Sequence, residues 1–125
     1  MKIQESAENY LETIYVLSRG GKKVRSVDIS SELDYTRPSV SVAMKKLRRD
    51  GYIDVDASGY ISLTERGCAI ARSMHERHTI ISDWLISLGV DRKTAVDDAC
   101  RIEHVISEKS FDAIKRAFDK EKFFC

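Results

Sequence analysis

The chain has 125 residues, 42% hydrophobic and 33% charged, with 21 Lys and Arg against 20 Asp and Glu for a net charge of +1. That composition is globular rather than disordered, and its longest apolar runs, such as Ile80-Ile81, are far too short to span a bilayer. Met1 to Glu5 lack the apolar core of a signal peptide, and Cys68, Cys100 and Cys125 make no disulfide framework, so a cytoplasmic protein without a membrane partner is expected.

Residues 5–18 read as a first helix, with Tyr10, Leu11, Ile14, Tyr15, Val16 and Leu17 as a broad apolar stripe and Ser6 as the expected N-cap. Glu5 and Glu8 suit the positive end of the helix dipole; Glu12 lies past the first turn, where that explanation fades. Ser18 to Lys22 end the helix in a glycine turn. Ser26 is the expected cap of a short second helix anchored by Val27, Ile29 and Leu33. Thr36 is placed to cap a third, with Pro38 in its first turn, where no N–H partner is needed. Val40, Met44 and Leu47 recur at i, i+4 and i+7 and must face the core, which leaves Ser39, Ser41, Val42, Lys45, Lys46 and Arg49 outward.

Gly51 stops the third helix. Tyr52 to Val55 and Tyr60 to Leu63 then alternate around the turn Asp56-Ala57-Ser58-Gly59, the pattern of a β-hairpin. Helix, helix, turn, helix, hairpin is the order of a winged helix-turn-helix, whose third helix enters the DNA major groove. Residues 1–51 carry ten basic against seven acidic residues, and residues 52–125 eleven against thirteen; the asymmetry permits DNA binding by the first half. Thr64 caps a long helix from Glu65 to about Leu88, roughly 36 Å at 1.5 Å per residue, with Ile70, Met74, Ile81, Trp84, Leu85 and Leu88 on its apolar side. Gly89 breaks it, Asp91 caps a helix from Arg92 to Ile106, and a last helix starts near Ser107 or Ser110 with Phe111, Ile114, Ala117 and Phe118; Phe123 and Phe124 follow. The expected architecture is mainly α: a winged helix-turn-helix over 1–70, then a helical dimerisation and metal-binding domain over 71–125. The later helices are too few for a generous core, and pairing with a second copy would bury their free faces.

The chemistry concentrates in Cys100, Glu103 and His104. Their i, i+3, i+4 spacing puts a thiolate, a carboxylate and an imidazole on one helical face, a donor set for a transition metal of intermediate softness. His78 on the long helix offers a second imidazole, and Glu12 on the first helix a second carboxylate, with the neutral amide of Asn9 one turn before it. Two carboxylates about 4 Å apart repel by roughly 4 kcal/mol at an effective dielectric near 20; a divalent cation turns them into a link between helices. Metal then moves a helix that packs against the DNA reader, a switch with a named charge event. The chain shows no Gly-rich phosphate loop and no nucleophile–base pairing, so an enzyme is not expected.

The phrases Glu8-Asn9-Tyr10-Leu11-Glu12-Thr13-Ile14-Tyr15, Arg37-Pro38-Ser39-Val40-Ser41, Leu63-Thr64-Glu65-Arg66-Gly67, Arg77-His78 and Cys100-Arg101-Ile102-Glu103-His104 follow in an order that resembles the diphtheria toxin repressor and manganese transport regulator family of metal-dependent repressors. The resemblance runs from about residue 5 to 120. It implies a homodimer that binds operator DNA when loaded with Fe²⁺ or Mn²⁺. On this alignment Cys100, Glu103 and His104 fall on ligand positions, with Cys typical of iron-type members; His78 and Glu12 fall on ligand positions of manganese-type members. Asn9 stands where a ligand is usually Asp or Met. Ser82 and Val96 replace ligands of an ancillary site, which is expected to be absent, and the length matches the manganese type, without an SH3-like domain.

Thiolate draws toward Fe²⁺, Co²⁺ or Zn²⁺, and Mn²⁺ prefers oxygen and imidazole, so the donor set leans to Fe²⁺. His75 reads as a spectator, and Cys68 and Cys125 as incidental. Thr36, Arg37, Pro38, Ser39, Ser41, Val42, Lys45 and Lys46 are the expected DNA-facing residues: Thr36, Ser39, Ser41 and the lysines toward phosphates, and, by the resemblance, Pro38 and Val42 toward bases. Family members often carry Gln at the latter position; Val42 can instead touch a thymine methyl. The competing reading is a metal-independent winged-helix regulator that senses an oxidant or small molecule through Cys100.

Overall fold

The computed structural model describes residues 5–124, and side chains through residue 118. Cys125 and the side chains of Phe123 and Phe124 lie outside the described residues. The chain divides into two compact units, one ending at Ser73 and the other starting at Met74.

In the first unit, α1 (Glu5–Leu17) buries Tyr10, Leu11 and Ile14. Glu5 is already helical, so Ser6 sits inside the first turn and is not the cap expected of it. The helix leaves through a 3-10 turn at Arg19–Gly21, where φ is +76° at Gly20 and +80° at Gly21, a region that costs other residues about 1–2 kcal/mol. The second helix, α2 (Ser26–Leu33), starts one residue early. Arg25 holds the cap position, and the Asp28 carboxylate accepts its backbone N–H at 2.8 Å. Asp28, at N3, thus reaches back to the cap residue's N–H, the reciprocal half of a capping box, and Ser26 is the first helical residue.

The third helix, α3 (Arg37–Arg49), forms as expected. Thr36 Oγ1 accepts the Ser39 N–H at 3.3 Å, Pro38 lies in the first turn, and Val40, Met44 and Leu47 are buried. The hairpin pairs β1 (Ile53–Val55) antiparallel with β2 (Ile61–Leu63), Ile53 opposite Leu63 and Val55 opposite Ile61. Asp56 Oδ1 holds its turn by accepting the N–H groups of Ser58 and Tyr60, both at 2.9 Å. One feature escapes the sequence pattern: Val24 bridges to Ile61, whose N–H donates to the Val24 carbonyl at 2.7 Å.

The long helix α4 (Glu65–Ser87) starts at Thr64, whose Oγ1 accepts the Gly67 N–H at 3.1 Å and donates to the Gly51 carbonyl at 2.8 Å. A Cβ on Gly67 would stand 2.0 Å from the Tyr52 carbonyl oxygen, so only glycine admits this approach of helix to hairpin. Tyr10, Leu11, Ile14, Val24, Ile29, Val40, Met44, Leu47, Tyr52, Ile53, Ile61 and Ala71 form one core that fixes α3 and the hairpin on a common base.

The second unit contains α4 from Met74 on, α5 (Arg92–Val105) and α6 (Glu108–Phe124). The Asp91 carboxylate accepts the Thr94 N–H at 3.0 Å, and Ser107 Oγ accepts the Ser110 N–H at 3.1 Å, the two expected starts. Gly89, at φ +101°, turns the chain after α4. Leu88, expected on the apolar side, follows the end of α4 and is 58% exposed. Ile81, Ala99 and Phe111 make a small core, flanked by Ile80, Leu85, Ile102 and Ile106, and an ion pair of Glu76 with Lys115 ties α4 to α6. Ile86, Leu88 and Val105 stay exposed in the single chain. No described helix is long and apolar enough to cross a membrane.

Candidate metal centre and DNA-reading face

The inward stripe of α5 runs Ala95, Ala99, Glu103: two alanines and then a carboxylate, all fully buried. An ionised carboxylate without partners at such a position costs several kcal/mol. The partners are ligand-type side chains. His78 Nδ1, from α4, lies 3.1 Å from Glu103 Oε2. Cys100, exposed and one turn before Glu103, completes a group in which one sulfur, one nitrogen and one oxygen lie within 4.8 Å of one another. The second carboxylate oxygen, Oε1, is buried and accepts no hydrogen bond among the described residues. His104 Nε2 stands 3.4 Å from it, inside ion-pair reach but without hydrogen-bond geometry.

The electrostatics point the same way. His78 is pushed up to about 10, by its hydrogen bond with Cys100 first and with Glu103 second, against burial, which favours the neutral ring. The pocket therefore demands positive charge, and without metal a proton on His78 supplies it. Sulfur, nitrogen and carboxylate oxygen converging on an under-satisfied buried acid fit a divalent transition ion.

Arg77, the residue before His78, has a role that its place in the sequence does not reveal. Its Nη1 donates to the carbonyl of Glu103 at 3.2 Å and to that of Ile106 at 2.9 Å, and its guanidinium lies 5.5 Å from the Phe111 ring centre. One side chain of α4 thus satisfies carbonyls that the C-terminus of α5 leaves open.

The other candidates are placed as follows. Glu12 and Asn9 lie on α1 in the first unit, Glu12 buried and Asn9 half-buried. His75, on α4, is half-buried and outside the His78, Cys100 and Glu103 group. Ser82 is buried, with its hydroxyl donating to the Thr79 carbonyl at 3.1 Å. Val96 is half-buried.

On the first unit, Thr36, Arg37, Pro38, Ser39, Ser41, Val42, Lys45 and Lys46 are all exposed along α3. The Thr36 hydroxyl donates to Ser39 Oγ at 2.8 Å, so these two hydroxyls orient each other. Val42 is 68% exposed among serines and lysines, an apolar side chain with no core to serve. The Val24 bridge also brings cations to the hairpin that the linear pattern did not single out: Lys23 Nζ and the Arg25 guanidinium lie 4.9 and 4.4 Å from the centre of the Tyr60 ring.

A capped, basic reading helix beside a hairpin wing, and a helical unit with a charge-deficient S/N/O cluster, together define a winged-helix DNA-binding regulator with a metal-binding domain. Residues 2–60 match the iron dependent repressor N-terminal DNA binding domain, and residues 64–123 the iron dependent repressor metal binding and dimerisation domain. The chain belongs to this family of metal-dependent transcriptional repressors. It is 31% identical over 122 residues to an HTH-type transcriptional regulator of Methanocaldococcus jannaschii, covering 96% of this chain and 98% of that one. It is 33% identical over 112 residues to the transcriptional regulator MntR of Escherichia coli, covering 90% of this chain and 72% of MntR. Its fold is that of a manganese-dependent transcriptional repressor solved in complex with manganese, with a TM-score of 0.83 at 24% identity over 90% of this chain. The chain spans about half the length of that solved protein, 52%.

Proposed function

We propose that this chain is a repressor activated by a divalent ion that His78, Cys100, Glu103 and His104 hold, with Fe²⁺ favoured over Mn²⁺. The observation that carries the reading is the convergence of His78 and Cys100 on a fully buried Glu103 whose second oxygen accepts no hydrogen bond among the described residues. The bound ion supplies two positive charges where the metal-free site has one proton, and the thiolate tilts the choice toward iron. Glu12 is included as a further carboxylate donor on the strength of the sequence, and Asn9, a neutral amide, as the weakest of the set; Zn²⁺ and Co²⁺ are expected to bind in vitro.

Two copies, joined through the helical unit, present their α3 helices to successive major grooves about 34 Å apart, or a multiple of that, which calls for a near-palindromic operator. The exposed Ile86, Leu88 and Val105 support such pairing. Thr36, Ser39, Ser41, Lys45 and Lys46 meet phosphates, Arg37 adds charge, and Pro38 and Val42 approach base edges.

The test is anaerobic DNA binding by the purified chain with chelator, Fe²⁺, Mn²⁺, Co²⁺ or Zn²⁺. Chelator abolishes specific binding and Fe²⁺ restores it at a lower concentration than Mn²⁺. Affinity that ignores chelator but disappears with oxidant replaces this reading with thiol sensing at Cys100.

A further inference from the structure

Glu103 is gripped at both ends by consecutive residues of α4. His78 meets its carboxylate at 3.1 Å, and Arg77 meets its backbone carbonyl at 3.2 Å. We infer that Arg77 is a positioning residue for the metal centre: its hydrogen bonds to the last turn of α5 fix the separation at which His78 faces Cys100 and Glu103.

Helix ends fray, and Glu103 lies in the final turn of α5, two residues before its end at Val105. The carbonyls there have no partner further along the helix. Arg77 Nη1 takes two of them, Glu103 and Ile106, at 3.2 and 2.9 Å. The guanidinium is also stacked on Phe111, a buried residue of α6, at 5.5 Å. Three helices therefore constrain the group, and the chain bond to His78 passes that constraint to a ligand. A cationic donor also suits the negative end of the α5 dipole, so the attachment is electrostatic as well as steric. Residues that orient metal ligands without touching the ion typically alter affinity by about 10- to 100-fold.

The inference rests on the proposal that His78, Cys100 and Glu103 hold the ion, and the test separates the two. Co²⁺ is titrated anaerobically into the wild-type chain, Glu103→Gln, Arg77→Met, Arg77→Lys and Glu76→Gln, following the cobalt–thiolate absorption. Urea unfolding of each in chelator gives its stability. Glu76→Gln removes the charge from another tie between α4 and α6 and serves as the control for stability alone. If the wild type shows no thiolate absorption, or Glu103→Gln binds as wild type does, the site assignment fails.

With the site intact, Arg77→Met, which keeps the stem and loses the donors, weakens Co²⁺ binding about 10- to 100-fold and alters the absorption band. Glu76→Gln leaves both unchanged. Arg77→Lys, which can donate to both carbonyls, recovers most of the affinity and the wild-type band. Equal affinity in Arg77→Met and wild type overturns the inference, and so does equal impairment in Lys and Met variants. Should Arg77→Met not fold, Arg77→Gln, which shortens the side chain and removes the cation, takes its place: weakened Co²⁺ binding with a shifted band supports positioning, and wild-type band and affinity oppose it.

Discussion

His78 Nδ1 and Glu103 Oε2 lie 3.1 Å apart, one from each of two helices, and the carboxylate of the pair is fully buried. The hydrogen bond of His78 with Cys100 first, and this contact with Glu103 second, favour the charged ring. A histidine raised from 6.5 to about 10 contributes stability that is fully present below pH 6.5 and lost as pH rises through about 10. The metal-free chain should therefore melt at progressively lower temperature between those limits, and His78→Asn should not show that fall. Metal needs the neutral ring, so binding at pH 7 should release about one proton from His78. Calorimetry in buffers of different ionisation enthalpy measures the total released, to which a Cys100 ligand also contributes; zero release would contradict the expectation.

Glu103→Gln preserves volume and removes charge. It deprives His78 of its carboxylate partner and the ion of an anionic donor. Metal affinity should fall by more than about 100-fold, beyond the range for residues outside the coordination sphere. DNA binding should then become indifferent to metal in a gel-shift titration. A wild-type metal response would strike Glu103 from the ligand set.

Gly67→Ala tests the base of the wing. The added methyl would lie 2.0 Å from the Tyr52 carbonyl oxygen, and the atom in the way is backbone, which cannot rotate aside. The cost should be at least about 1–3 kcal/mol, the range for overpacking, read as a lower urea midpoint for the first unit. Retained wild-type stability would mean that α4 and the hairpin separate at little expense.

Much of this molecule could be read from local spacing. Val40, Met44 and Leu47 with Thr36 and Pro38 define α3 because core face, cap and first turn all lie within twelve residues. Cys100, Glu103 and His104 announce a common helical face by the same rule. Ser26 is a local miss of one position: the helix starts at Ser26 itself, with Arg25 at the cap and the Asp28 carboxylate on its N–H. Other failures came where the deciding partner is elsewhere. The pairing of Val24 with Ile61 joins distant segments with no periodic signature. Arg77 shows only a basic residue in a helix; that it binds carbonyls 26 and 29 positions away is a tertiary fact. Leu88 fits the apolar period but falls past the last turn of α4, where the period no longer governs.

Lys45→Ala should weaken binding to every DNA sequence alike. It should also reduce the slope of log K against log salt by about one, the signature of a single lost phosphate contact. An unchanged slope would remove Lys45 from the interface.

Under the proposed DNA contact, the 68% exposed Val42 limits what the reading face detects. A glutamine there would interrogate hydrogen-bond donors and acceptors, whereas an isopropyl group registers only a methyl on the pyrimidine ring. Cytosine methylated at carbon 5 displays that same methyl, so under the proposed base contact Val42 by itself does not separate thymine from a modified cytosine.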